Sequence, residues 1–148
     1  MTSPVDLWVD YVAAHRQFAD DIPVIEPFGD SPELADELLN LVVQGPKRAT
    51  AGAAHWGVPS VGDHWVVTDG TGVPRVILRV TEVRVGRLDS VDEQFAWDEG
   101  EGDRSRDYWL RVHRSFLQRT EGGVADVDAL ETCFERFVVV WPPEVADA

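Results

Sequence analysis

The sequence predicts an α+β fold: a small, curved, mostly antiparallel β-barrel with helices flanking it. Three observations carry this prediction. Two amphipathic helical stretches precede residue 45, and strand-like texture begins only after it. The strand-like runs are short and separated by turn residues. The helices are segregated and do not alternate one for one with strands, which argues against a doubly wound parallel sheet.

The elements follow in chain order. Ser3-Pro4-Val5-Asp6 is a helix start, with Ser at the cap, Pro in the first turn and an acid three residues on. Leu7, Trp8, Tyr11, Val12, His15 and Phe18 recur at helical spacing, so this extra N-terminal helix is expected over about 4–18. Asp20 to Gly29, with Pro23 and Pro27, is expected to be a loop. Ser31-Pro32-Glu33 repeats the start signal, Leu34, Leu38, Leu41 and Val42 make an apolar stripe, and Gly45-Pro46 stops the helix. Strands are expected over 48–54, 63–68, 73–85 and 131–141, the middle two joined as a hairpin by Asp69-Gly70-Thr71-Gly72. Between them, Ser90-Val-Asp-Glu93 reads as a capping box opening a short helix to about Asp98. Asp103 or Ser105 caps a longer helix carrying Tyr108, Trp109, Val112 and Phe116. No repeat or linker divides the chain, so residues 1–148 are expected to be a single domain with its barrel at about 26–141.

Composition narrows the function. With 13 basic and 27 acidic residues the net charge is −14, which disfavours broad nucleic-acid binding and gives no reason to expect a DNA partner. A lone cysteine, Cys133, rules out an internal disulfide and reads as a core residue. The longest apolar run, Phe137 to Trp141, is far too short to span a membrane, and the N-terminus lacks the order of a signal peptide; a cytoplasmic location is expected. His15, His55, His64 and His113 show no ligand spacing, so neither a metal nor another cofactor is expected.

Lys47 is the only lysine in the chain. Coding bias explains why arginine dominates, but not why one lysine remains, and a lysine amine can be desolvated into acid–base work as arginine cannot. In Gly45-Pro-Lys-Arg-Ala-Thr50, Lys47 and Thr50 share a side only if the chain turns before the strand begins, and Gly45-Pro46 supplies such a turn. The plainer reading is a solvated turn lysine and a threonine chosen for strand propensity. Residues 89–103 hold seven acids and no base. Glu93 and Asp103 have capping roles, which leaves Asp98, Glu99 and Glu101 without a structural task, and a carboxylate beside Lys47 would make a paired acid–base site. Trp56, in a loop after the Thr50 strand, is placed to stack on a flat ligand. The arginines at 75–87 and 104–119 read as RNA-facing patches or, preferably, as solvated faces balancing neighbouring acids.

Taken together, Phe28-Gly-Asp-Ser-Pro-Glu-Leu, Gly45-Pro-Lys-Arg-Ala-Thr50, Val61-Gly-Asp63 and Val91-Asp-Glu-Gln-Phe-Ala-Trp-Asp-Glu-Gly-Glu-Gly-Asp-Arg-Ser105 with Tyr108-Trp109 resemble the ASCH (activating signal cointegrator homology) domain family over about 26–141. The resemblance implies a PUA-like β-barrel with the lysine motif at the mouth of a cleft, and a link to RNA binding or RNA processing. One bacterial branch of that family is an amidohydrolase that removes the acetyl group from N4-acetylcytidine. By that likeness Lys47, Thr50 and Glu99 are the catalytic residues, and Arg48, Trp56, Asp103, Arg104 and Tyr108 are expected to contact the ligand, a small nucleoside or a short RNA. The chain departs from that branch in its N-terminal helix and its Gly100-Glu-Gly-Asp103 tract. Thr50 is the nucleophile on an acyl carbon. Either Lys47 or Glu99 serves as base, the other arrangement leaving Lys47 to stabilise the oxyanion. The alternative is an RNA-binding or ribonuclease-like module using the same cleft.

Overall fold

The computed structural model describes residues 3–148. Helix α1 (Pro4–Ala14) opens on a reciprocal cap: the Ser3 hydroxyl accepts from the Asp6 amide at 3.1 Å, and the Asp6 carboxylate accepts from the Ser3 amide at 3.2 Å. The helix is shorter than its apolar spacing suggests. His15 leaves helical geometry at φ −136°, its Nδ1 bonds the Tyr11 carbonyl at 3.1 Å, and Arg16–Phe18 form a 3₁₀ turn.

Residues read from sequence as a loop contain strand β1 (Val24–Pro27), which pairs in parallel with β3 (His64–Thr68), Val24 opposite Trp65. All four β1 residues are exposed, so no alternation betrays them, and proline is tolerated because the strand lies at the sheet edge. With β2 (Ala49–Ala53), β4 (Pro74–Arg87) and β5 (Glu131–Trp141), the strand order is β1-β3-β4-β5-β2. Every pairing except β1–β3 is antiparallel. The sheet curls into a half-barrel and does not close, with β1 and β2 as its two edges.

Helix α2 (Pro32–Gln44) starts at Ser31, whose hydroxyl accepts from the Leu34 amide at 3.1 Å, and stops at Gly45 in the left-handed conformation, φ 116°. Helix α3 (Glu93–Glu99) is capped by Asp92 and not by the Ser90 box, because the Asp92 carboxylate takes the Phe95 amide at 2.7 Å while Ser90 lies in a preceding 3₁₀ turn. Helix α4 (Arg106–Thr120) is capped by Ser105. Among the described residues no helix is long and apolar enough to cross a membrane.

The apolar residues form separate cores. One lies under α3 and α4 and includes Phe95, Trp109, Leu117 and Phe134. A second packs α2 on the sheet through Leu39, Val42, Leu78 and Phe137, with Phe28 beside them. A third joins α1 to the sheet: Tyr11 packs with Val66 and Ile77, and its hydroxyl meets buried His64 Nε2 at 2.9 Å. Tyr11→Phe removes that partner and leaves a buried imidazole nitrogen unpaired. A loss of about 1–3 kcal/mol is expected in urea denaturation. Unchanged stability would show that the contact does not anchor α1.

Candidate active site

Lys47 sits where α2 gives way to β2. The Gly45 and Lys47 amides both donate to the Leu41 carbonyl, at 3.1 and 3.3 Å, so the chain reverses tightly around the helix end. The lysine side chain is driven inward and is only 1% exposed. Its Nζ donates to the Ala49 carbonyl at 2.9 Å, the carbonyl bonded covalently to the Thr50 nitrogen. The same ammonium lies 3.8 Å from Glu99 Oε1, 3.3 Å from Glu101 Oε2 and 5.4 Å from the centre of the Phe28 ring.

The carboxylates arrive on the end of α3. Gly100 terminates that helix at φ 75°, and a Cβ there would come within 2.9 Å of the Lys47 nitrogen. Glycine is therefore needed for two backbones to touch. The Asp98 carbonyl accepts from the Arg48 amide at 2.7 Å, and Asp98 also pairs with Arg136, which pins the helix end to β2 and β5. Beyond Glu101, Gly102 (φ 59°) lies flat against the Tyr108 ring, where a Cβ would be 2.3 Å from ring carbons. Arg104, itself at φ 65°, stacks 3.7 Å from the Trp97 ring and donates to the Trp97 carbonyl at 2.8 Å. The Asp103 carboxylate accepts from the Ser105 amide at 2.8 Å.

His113, from α4, completes the group. Its Nδ1 donates to the Trp109 carbonyl at 2.8 Å and its ring stacks on Trp109 at 3.7 Å, leaving Nε2 at 3.5 Å from Glu99 Oε2. That oxygen has no hydrogen-bond partner, so the contact is electrostatic. Burial alone would raise the Glu99 carboxyl, but Lys47 and His113 outweigh it and hold the group below the usual carboxylate range. Glu101 moves the other way: burial raises it, Lys47 opposes, and the neighbouring Glu99 charge adds to the rise. Burial opposes the charged form of His113, but Glu99 prevails and raises its pKa. Two carboxylates in one site have been driven apart, one fixed as an anion and one able to carry a proton near neutrality.

Ligand atoms of Glu99, Glu101 and His113 all lie within 4.8 Å of one another. Histidine spacing along the chain gave no hint of this donor set, because the fold and not the sequence interval assembles it. Lys47 already brings a positive charge to both carboxylates.

Thr50 lies on β2 opposite Glu135 of β5, half-buried. Ala49 and Ala53, one residue before it and three after, face the core under α3 and α4, so Thr50 and Gly52 face the other way. Trp56 is exposed, and its ring lies over Gly52 on that second face, 3.1 Å from where a Cβ would stand. Arg48 is committed elsewhere: it grips Asp147 at 3.0 and 2.9 Å and donates to the Val42 and Lys47 carbonyls. The fold thus gathers Lys47 and Glu99 and seats the lysine against the Thr50 peptide. Asp103, Arg104 and Tyr108 brace the loop that carries Glu101. Glu101, His113 and Glu135 were not singled out as site residues from sequence. Only Glu101 left a trace, as an acid without a capping role.

A family model described as the ASCH domain matches residues 24–141. The chain belongs to the ASCH domain family. Its fold is similar to the crystal structure of an ASCH domain from Lactobacillus crispatus JV V101, with a TM-score of 0.85, 27% identity and 94% of each chain covered. It is also similar to the crystal structure of a protein from Enterococcus faecalis V583, with a TM-score of 0.79, 28% identity, and 90% of this chain and 85% of that one covered. A hypothetical protein at 12% identity and TM-score 0.56, matched over 80% of this chain and 99% of its own, shares the fold alone. No curated protein matches significantly.

Removing one member of the buried charge group leaves the others uncompensated. Lys47→Ala should cost about 3–5 kcal/mol in chemical denaturation. The double variant Lys47→Ala/Glu99→Gln should cost clearly less than the two single changes added together. Strict additivity would show that the two side chains do not act as a pair.

Proposed function

We propose that this ASCH domain is a cytoplasmic hydrolase of a small N-acylated nucleoside, of the N4-acetylcytidine type, that works without a metal. The observation that carries this reading is the divided pair of carboxylates on one buried lysine. Such a division supplies both a fixed anion and a proton carrier from two chemically identical groups. The buried free thiol of Cys133 suits a reducing compartment.

In this reading Thr50 Oγ attacks the acyl carbon, and its proton passes to the Lys47–Glu101 pair. Lys47 stabilises the oxyanion, and the proton returns to the leaving nitrogen as the C–N bond breaks. The free amine leaves in that step, and water then cleaves the Thr50 ester, releasing the carboxylic acid and restoring the Thr50 hydroxyl. Glu99 lies 3.8 Å from the Lys47 ammonium, and Lys47 and His113 together keep Glu99 ionised. That favours Lys47 as the electrostatic catalyst and assigns the proton to Glu101, not to Glu99.

The arginines favour this reading over an RNA groove, since local partners already take them up. Arg75 is held by Asp69 at 2.9 Å and Arg87 by Asp89 at 3.0 Å. Arg79 lies 4.9 Å from the Phe18 ring and Arg84 lies 4.2 Å from the Phe134 ring. On the helix that follows, Arg114 pairs with Asp128 at 2.6 Å.

Turnover of N4-acetylcytidine, followed by release of cytidine, tests the reading. Thr50→Ala should abolish turnover and Thr50→Ser should keep part of it, both variants folding normally because Thr50 is only half-buried. Glu101→Gln should lower kcat by about 10²–10⁴-fold. A Thr50→Ala enzyme with wild-type turnover would sink the mechanism.

A further inference from the structure

The strand face that carries Thr50 has a second polar group which the mechanism above does not use. Glu135 stands directly across from Thr50 in the β2–β5 ladder, and its other cross-strand neighbour is Val83 of β4. Gly52, Cys133 and Val85 continue the same face one step along, with the Trp56 ring lying over Gly52. The result is an apolar floor with an aromatic rim and two polar side chains, Thr50 and Glu135, side by side. Among the described residues the Glu135 carboxyl makes no side-chain hydrogen bond and is only half-buried. Every other partly buried acid named above is held by a cation, an amide or a hydroxyl.

We propose that Glu135 recognises the amidine edge of an aminopyrimidine base, with Trp56 stacking at the rim. The inference rests on the nucleoside reading of the site and names the group that selects the base. A protonated carboxyl offers one donor and one acceptor side by side. Those match the ring-nitrogen acceptor and exocyclic N–H donor of an acylated cytosine. An ionised carboxylate offers acceptors only and repels the ring-nitrogen lone pair. The spacing also fits the chemistry. Directly opposed residues in an antiparallel pair have Cβ atoms about 4.5–5.5 Å apart. A base nitrogen held by Glu135 therefore brings the acyl carbon bonded to it toward Thr50.

The surroundings favour the protonated carboxyl below about pH 7. Burial pushes it up to about 7, with the charges of Asp63 and Glu26 adding to the rise and Lys47 opposing it. Cys133, the neighbouring titratable group on the face, is itself raised to about 11 by burial and by Glu135, and stays a neutral thiol.

The test combines kinetics and binding. KM and kcat for N4-acetylcytidine are measured from pH 5.5 to 9 on wild type, Glu135→Gln and Glu135→Ala, and calorimetry follows cytidine binding at both ends of that range. Wild-type KM should rise above pH 7, approaching about tenfold per pH unit as one proton is lost. Glu135→Gln, which keeps a donor and an acceptor at every pH, should retain the low KM and lose the rise. Glu135→Ala should raise KM roughly tenfold at pH 6. A Glu135→Gln profile that still follows wild type overturns the proposal, and so does a collapse of kcat at constant KM, which would make Glu135 a proton-transfer group. If wild type does not hydrolyse the substrate at all, the hydrolase reading fails separately. The recognition role then stands on cytidine binding that weakens with pH and is flattened by Glu135→Gln, and it falls if cytidine does not bind or if the variant changes nothing.

Discussion

A buried ammonium beside a buried carboxylate constrains the rest of this fold. Taking two charges out of water costs several kcal/mol each, and their attraction offsets that only when geometry and extra hydrogen bonds are right. Lys47 and Glu99 are each 1% exposed and stand 3.8 Å apart. Meeting that condition requires the end of α2 and the end of α3, separated by some fifty residues, to touch through their backbones. Both helices stop in a left-handed glycine, Gly45 and Gly100, and the second admits no Cβ against Lys47. The Lys47 ammonium also lies beyond the C-terminus of α2, where the helix dipole favours a cation. Asp98, Arg48 and Arg136 then tie the joint to the sheet, so ordering the ion pair also orders the edge strand β2.

The same joint separates two kinds of environment. On one side of it, Glu101 and His113 join the charge group, a largely buried network whose members fix one another's protonation. Beside it, Thr50 and Glu135 lie opposite each other on a half-buried strand face. Lys47 connects the two, because its hydrogen bond to the Ala49 carbonyl carries its charge to the Thr50 peptide. A charge set that water cannot easily screen, hydrogen-bonded to the peptide that carries Thr50, is electrostatically preorganised.

What could be read from the chain follows from what kind of information each feature carries. The α2 boundaries were legible because Ser31-Pro32 and Gly45-Pro46 are local chemical signals. The β3–β4 hairpin was legible for the same reason, through the Asp69–Gly72 turn. Strand β1 was not, since an exposed four-residue edge strand that follows Pro23 and ends at Pro27 shows no alternation of buried and exposed residues. The α3 cap was misassigned to Ser90 because two overlapping capping patterns lie within three residues, and only Asp92 has the Phe95 amide in reach. Within the site, the isolation of Lys47 and the acids left without a capping role pointed to a meeting across the fold. Glu101 and His113 could not be assigned, since periodicity reports the face a residue occupies and not the partner that face meets. Glu135 became visible only once the β2–β5 register set it opposite Thr50.

The division of charge within the network is the central claim, and a carbon-13 titration of the glutamate side-chain carboxyls in the intact protein tests it most directly. The account predicts that Glu99 stays ionised throughout the range from about pH 4 upward, while Glu101 takes up its proton well above the ordinary glutamate value of about 4.3. If both carboxyls titrate together near that ordinary value, the buried lysine is not dividing them, and the account fails.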